Sequence, residues 1–342
     1  METEQRETRI QTVCLLIICA VAIGVALFML RTVMIPFVLA IFSALGLSPL
    51  IAFQRRYLRL PNPVAILTTF IVGFVVLSLL GGLISISLRQ LSDNAVAYQD
   101  QINKLLEQVM IMAEGYGVDP VTLFDSMSSL PVKSVSGILA NLTKGIFDIL
   151  SKGLLVMLFL FFLLLGGTQK TGPSRGVLGE IELRIQRYIM AKTVVSAATG
   201  GIVGGLLAFL GVDLALVFGL FAFLLNFIPS IGSIIATLLP LPVVLVDPES
   251  TLTTIVLAIG LPGLSQFLIG SVIEPKVVGG TLNLHPATIL ISLIVWGMIW
   301  GIVGMFLAIP LTAVMQIFFE RFEHTAPIAE ILAGRLDRLQ SE

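Results

Sequence analysis

Polar side chains are scarce in the C-terminal half of this 342-residue chain, and the few present gather around interruptions in apolar sequence. Asn226, Ser230 and Ser233 flank the segment Ile228-Pro229-Ser230-Ile231-Gly232. Gln266 lies in a later apolar run, and Glu274-Pro275-Lys276 ends that run. A second interruption carries Gly297, Trp300, Gly301, Gly304 and Pro310. Amides and hydroxyls beside a broken helix can hydrogen-bond a hydroxyl-rich solute, and unwound backbone adds free N–H and C=O groups. A carboxylate at the end of a span, such as Glu274, can serve as a gate or a coupling group. This is the chemistry of binding, not of bond-making. No GxSxG, P-loop or Cys-His constellation is present, and His285 and His324 belong to no metal-ligand spacing. Cys14 and Cys19 would lie about 140° apart around a helix and cannot share a ligand. The sequence therefore points to no catalytic residue, metal or cofactor, and to no enzyme.

The elements that must position these groups are membrane helices. Hydrophobic residues make up 56% of the chain and charged residues only 12%, with a mean hydropathy of +1.02. Soluble domains carry roughly 25% charged residues, so a soluble enzyme, a disordered chain and a repeat solenoid are excluded. A net charge of −1 and the lack of a basic patch give nucleic acid nothing to bind. The chemistry of the surface instead calls for a lipid bilayer. Charge-free runs at 11–30, 32–54, 60–88 and 153–169 are long enough to cross one. The first lacks a cleavage site and should be retained as a helix, and only Arg31 separates it from the second, which suggests a tight helical hairpin. From 193 to 319 just Asp213, Asp247, Glu249, Glu274 and Lys276 are charged. They cut the stretch into runs at 193–211, 213–246, 251–273 and 286–319. The two long ones each read as two arms about a Gly/Pro break, with Pro240 and Pro242 interrupting the first further on. The fold expected is all-α and polytopic, with about eight hydrophobic spans that include two broken or re-entrant hairpins.

Basic residues orient the array. Placing Arg6, Arg9, Arg55, Arg56, Arg59, Lys170, Arg175, Arg184, Arg187, Lys192, Arg321, Arg335 and Arg338 on one side makes that side, and both termini, cytoplasmic. A crossing helix followed by a broken hairpin then occurs twice with opposite orientation, a probable inverted repeat of the kind that frames transporter sites; the alternative is ten ordinary spans with kinks. The expected divisions are three N-terminal helices (1–88), an external helical segment (89–152) leading into helix 4 (153–169), and a cytoplasmic interfacial helix (170–192). A transport core (193–319) and a C-terminal amphipathic tail (320–342) complete the chain. Within 89–152, Asn141-Leu-Thr143 matches a glycosylation sequon without further support, and Asp148 and Lys152 have the spacing of a simple i,i+4 pair.

Each candidate has a plainer reading. Asn226 and Gln266 can cap freed backbone or hold helices together, and Glu274 with Lys276 can form an interfacial ion pair. Trp296 and Trp300 more commonly anchor an interface than line a pocket. The position of Asn226, Ser230 and Ser233 at the break itself favours a pocket shared by the two breaks near mid-membrane.

Three stretches carry a specific resemblance: Asn226-Phe-Ile-Pro-Ser-Ile-Gly-Ser-Ile-Ile-Ala236, Ile273-Glu-Pro-Lys-Val-Val-Gly279, and the run from Leu293 through Trp296-Gly-Met-Ile-Trp300-Gly to Pro310-Leu311. In this order they resemble the autoinducer-2 exporter family of bacterial membrane permeases, closest to the branch containing the exporter itself. The resemblance implies export of a small polar quorum-sensing solute without ATP, from the bacterial inner membrane. It also implies a homo-oligomer, a pentamer whose subunits each carry a site. Because other family members are described as Na⁺(Li⁺)/H⁺ antiporters, cation antiport is the alternative. A non-transporting scaffold is the second, though a scaffold needs no broken hairpins.

Overall fold

A computed structural model describes residues 2–93, 152–166, 176–278, 284–322 and 325–335, together with Leu282 and single positions within 100–111. Most of the expected external segment 89–152, with its sequon and Asp148, lies outside the described residues, as do 167–175, His324 and the tail beyond Arg335. Every regular element among the described residues is helical: α1 (Glu2–Met29), α2 (Arg31–Tyr57), α3 (Asn62–Asp93), α4 (Lys152–Gly166), α5 (Val177–Phe209), α6 (Ala215–Leu225), α7 (Ile231–Leu238), α8 (Leu241–Val246) and α9 (Leu252–Leu268). A π-helical turn (Ile269–Ile273) comes next, then α10 (Glu274–Val277), α11 (Pro286–Trp300), α12 (Ile302–Phe319) and α13 (Ala326–Ala333). Among the described residues, five helical stretches are long and apolar enough to cross a bilayer: Arg31–Tyr57, Asn62–Leu83, Leu178–Phe209, Leu252–Val277 and Ile302–Phe319. Large apolar side chains such as Phe74, Phe209, Leu252 and Phe318 stand exposed along them, a surface suited to lipid and not to water. The chain is an all-α polytopic membrane protein.

Two compact units divide the chain. One comprises residues 1–66, 153–189 and 280–342. The chain does not reverse at Arg31 as a hairpin would. Leu30 has φ −87° and ψ 6°, its N–H bonds Ala26 O, and its carbonyl accepts from Met34. A residue that keeps helical bonds on both sides can kink the chain but cannot turn it back, so α1 leads into α2. Phe37 meets Phe159 edge to face at 5.5 Å, packing α2 on α4. Helices α11 and α12 form a hairpin about Gly301, whose φ of 65° and ψ of −144° suit glycine alone. The turn is tight: a Cβ on Gly304 would fall 1.9 Å from Trp296 O. Both tryptophans are buried, which corrects the expectation of interfacial anchors. Trp296 Nε1 donates to Thr312 Oγ1 at 3.2 Å, and Trp300 Nε1 donates to Leu27 O at 3.1 Å, a carbonyl in the last turn of α1. Pro310, expected to break the segment, lies buried inside an unbroken α12; in a membrane span other groups can satisfy the carbonyl it frees.

The other unit comprises residues 67–152 and 190–279. Its core joins Val203 and Leu207 of α5 to Phe218 and Ala222 of α6, Ala236 of α7, Val244 of α8 and Ala258 of α9. Residues 177–190, expected as a separate interfacial helix, are instead the opening turns of the 33-residue α5, with Ile185 and Tyr188 buried. Further along, α5 and α6 touch backbone to backbone. A Cβ on Gly200 would lie 2.6 Å from Gly219 O, and one on Gly219 would lie 2.9 Å from Gly204 Cα. Small residues spaced in this way let membrane helices approach closely without apolar knobs.

Candidate functional site

Against α5, the second unit holds the first broken hairpin. Helix α6 has 11 residues, a rise of about 16 Å against a hydrocarbon core of about 30 Å. Helices α7 and α8 return over Ile231–Val246. The turn between the arms is stitched by Phe227 N–H to Leu224 O, Ile228 N–H to Leu225 O and Gly232 N–H to Ile228 O. Pro229 cannot continue α6, and Ser230 takes φ +60° with ψ −54°, a strained conformation for a residue with a side chain. Gly232 allows the closure, because a Cβ there would fall 1.8 Å from Leu225 O.

This turn opens onto a cavity of about 540 Å³, within the range of about 300–1,000 Å³ typical of small-molecule sites. Asn226, Pro229, Ser230 and Ser233 line it from the hairpin, and Gln266, Ser271 and Glu274 line it from the helix running Leu252–Val277. The structure thus brings together six of the residues predicted from sequence: Asn226, Pro229, Ser230, Ser233, Gln266 and Glu274. Gly232 shapes the turn without lining the cavity. Gly297, Trp300, Gly301, Gly304 and Pro310 belong to the α11–α12 hairpin of the first unit and line no part of this cavity.

Polar atoms around the cavity are mostly committed. Asn226 Nδ2 donates to Ser196 Oγ at 2.9 Å, Ser233 Oγ to Ser230 O at 3.0 Å, and Thr237 Oγ1 to Ser233 O at 2.8 Å. Gln266 is buried and incompletely paired. Its Nε2 reaches Thr237 Oγ1 at a long 3.4 Å, and its buried Oε1 has no partner among the described residues. A buried acceptor left unpaired costs about 1–3 kcal/mol, so a bound group that donates to it gains that amount back.

Glu274 pairs with Lys192 of α5 and not with the adjacent Lys276. Lys192 is buried within the second unit. The positive-inside reading placed it among cytoplasmic basic residues, yet its side chain is 1% exposed and its ammonium ends on a carboxylate of the cavity wall. Lys192, Ser196, Thr237 and Ser271 are the residues at this candidate site that sequence reading missed. A signal existed for the first two: Lys192, Ser196 and Thr199 recur at i, i+4, i+7 and are all buried, one polar stripe on one face of the helix. Among the described residues, no cluster of His, Cys, Asp and Glu is arranged to hold a metal ion.

The sequence profile of a family described as AI-2E family transporter matches residues 16–324. The chain belongs to the AI-2E transporter family. Among its relatives, the AI-2 transport protein TqsA of Escherichia coli (strain K12) is 32% identical over 313 residues, covering 88% of this chain and 89% of TqsA. YhhT of the same strain is 27% identical over 345 aligned positions, 97% of each chain. YrrI of Bacillus subtilis (strain 168) is 25% identical over 337 positions, 91% of this chain and 94% of YrrI. The names of these last two are provisional and give transport without a substrate. As an AI-2E family transporter the chain is a multi-pass protein of the bacterial inner membrane. The stretches that carry the family resemblance are those with the unusual geometry: 226–236 forms the strained turn, 273–277 the end of the π-broken helix, and 293–311 the Gly301 hairpin.

Proposed function

We propose that this AI-2E family transporter exports a small, polar, hydroxyl-rich solute, the quorum-sensing signal autoinducer-2 or a related metabolite, and that the cavity at the α6–α7 turn is its binding site. The observation that carries the reading is a cavity of about 540 Å³ whose mostly apolar wall carries amide, hydroxyl and carboxylate groups, with Gln266 Oε1 short of a donor. A solute hydroxyl can donate to Gln266 Oε1, and a second can donate to the carboxylate of Glu274. Hydrogen bonds to neutral groups contribute about 0.5–1.5 kcal/mol each and those to charged groups about 1.5–3 kcal/mol. Two or three such contacts suit a solute that must also leave. Among the described residues no basic side chain lines the cavity, which fits a neutral solute better than a strong anion. The name of TqsA, an AI-2 transport protein, points to the same class.

Within this reading both termini are cytoplasmic, Glu274 gates the site as the hairpin moves, and the protein works as a homo-oligomer, a pentamer with one site per subunit. A second reading, Na⁺(Li⁺)/H⁺ antiport, draws on the carboxylate in the cavity wall. The deciding experiment is efflux from proteoliposomes under an imposed pH gradient, comparing the furanone signal with Na⁺ and Li⁺. Saturable movement of the furanone with no cation flux is expected; cation flux coupled to protons, with the furanone immobile, would favour antiport, and no flux of either would favour a scaffold. Ser230→Cys in a background lacking Cys14 and Cys19 supplies the local test, because the solute should shield it from a small thiol reagent.

A further inference from the structure

Glu274 sits in a membrane-spanning helix and lines the cavity, yet its counter-ion comes from α5, 82 residues earlier in the chain. The two halves of the pair are unequally buried, with Glu274 23% exposed and Lys192 1% exposed. The carboxylate therefore keeps one side toward the cavity while the ammonium fills the dry side. Stability alone does not explain such a pair, since apolar groups of similar volume commonly serve a buried position as well or better.

The surroundings of Glu274 suit a small cation. The helix widens over Ile269–Ile273, where Glu274 N–H reaches back five residues to Ile269 O. Pro275 comes next and has no N–H, so the following carbonyl of the wide turn, Gly270 O, loses its helical donor. Gly270 and Ser271 line the cavity beside Glu274. A carboxylate, a freed carbonyl and a hydroxyl are the hard oxygen ligands that unwound transporter helices offer to alkali cations. An ammonium carries the same charge and donates to such oxygens. We infer that Lys192 is a built-in counter-ion that holds Glu274 in place of a monovalent cation, so that solute transport by this chain needs neither Na⁺ nor Li⁺.

The inference rests on the reading of the cavity as the transport site. Its test uses the purified full-length protein as wild type, Lys192→Met, Lys192→Gln and the double variant Lys192→Met/Glu274→Gln. Melting temperature is measured in NaCl, LiCl and choline chloride at equal ionic strength, and binding is measured with radioactive Na⁺. The wild type should melt within about 1 °C in all three salts and bind no Na⁺. Each lysine variant should bind Na⁺ and gain about 2–4 °C from Na⁺ or Li⁺ over choline, the shift expected at several times Kd. The double variant should lose that response. Na⁺ binding by the wild type overturns the inference, as do lysine variants indifferent to Na⁺ and Li⁺. Lysine variants that fold in none of the salts while the double variant folds overturn it too, because a cation able to replace the ammonium would restore them. Solute efflux from wild-type liposomes should proceed equally in Na⁺ and choline. Its complete absence refutes the cavity reading and leaves the cation measurements interpretable by themselves.

Discussion

Placing an alanine at position 232 asks whether the strained turn is built on backbone contact. The added Cβ would sit 1.8 Å from Leu225 O and 2.7 Å from Leu225 C. Real Cβ atoms do not approach heavy atoms closer than 3.0 Å, so the arms must part by about 1.2 Å or more. Both obstructing atoms are main chain at the end of α6, and no rotamer change can relieve them. Overpacking costs about 1–3 kcal/mol when side chains can adjust. Forcing apart a turn that already holds Ser230 at φ +60° puts the cost at the upper end, about 3 kcal/mol, or a fall of about 6 °C in melting temperature. Gly260→Ala is the matched control: it lies in α9, nothing stands within 4 Å of its Cβ, and alanine there should gain about 0.5–1 kcal/mol. Thermal unfolding of both purified variants, followed by furanone efflux from proteoliposomes, checks the argument. If Gly232→Ala melts within about 1 °C of Gly260→Ala and transports at the wild-type rate, the turn is not held by this contact and the cavity is not shaped by it.

Gln266→Leu should leave melting unchanged or raise it by about 1 kcal/mol, by removing the unpaired Oε1, while lowering solute transport; a loss of stability with normal transport would assign Gln266 to packing alone. Trp300→Phe deletes the bond to Leu27 O and should cost about 1 kcal/mol in thermal unfolding, without changing how solute protects Ser230→Cys. Gly200→Ala places a methyl group 2.6 Å from Gly219 O and should cost about 2–3 kcal/mol, read as lower melting temperature and loss of a monodisperse detergent peak. An unaltered peak and melting point would mean that α5 and α6 tolerate a wider separation.

The helices and the first break were legible in the sequence because their causes are local. Unbroken apolar length marks α2, α3 and α9, and Pro229 with Gly232 marks an interruption wherever it lies. Four of the six predicted residues that line the cavity came from that break, since Asn226, Pro229, Ser230 and Ser233 had to be near it. The extent of the second break was read less well. Four helix-disfavouring residues looked alike on paper, but only Gly301 takes the turn, and Pro310 is absorbed by its helix. Lys192 escaped notice for a different reason. The positive-inside rule counts basic residues near the ends of spans and knows nothing of which face they occupy, so a lysine at the edge of an apolar run is counted with those in water. Its pairing with Glu274 depends on how α5 packs, and sequence spacing alone does not encode that.

The π-helical turn has a consequence for phase. A regular helix advances about 100° per residue, so a residue eight places after Gln266 would lie about 80° around the axis from it. The wide turn spends one extra residue without advancing the angle, and every later residue lags by about 100°. Glu274 then keeps the phase of a residue seven places on, within about 20° of Gln266. Two polar groups that ordinary counting would set on different faces thus share one stripe along the cavity. The surplus residue also acts as slack in the register. A chain shortened by Val272 could regularise the turn and still present Glu274 to Lys192, whereas straightening the turn at full length would swing the carboxylate off the lysine by about 100°. Retained ion-pair-dependent melting in the shortened chain would establish that the turn stores a register shift; its loss would show that the turn is needed for its shape.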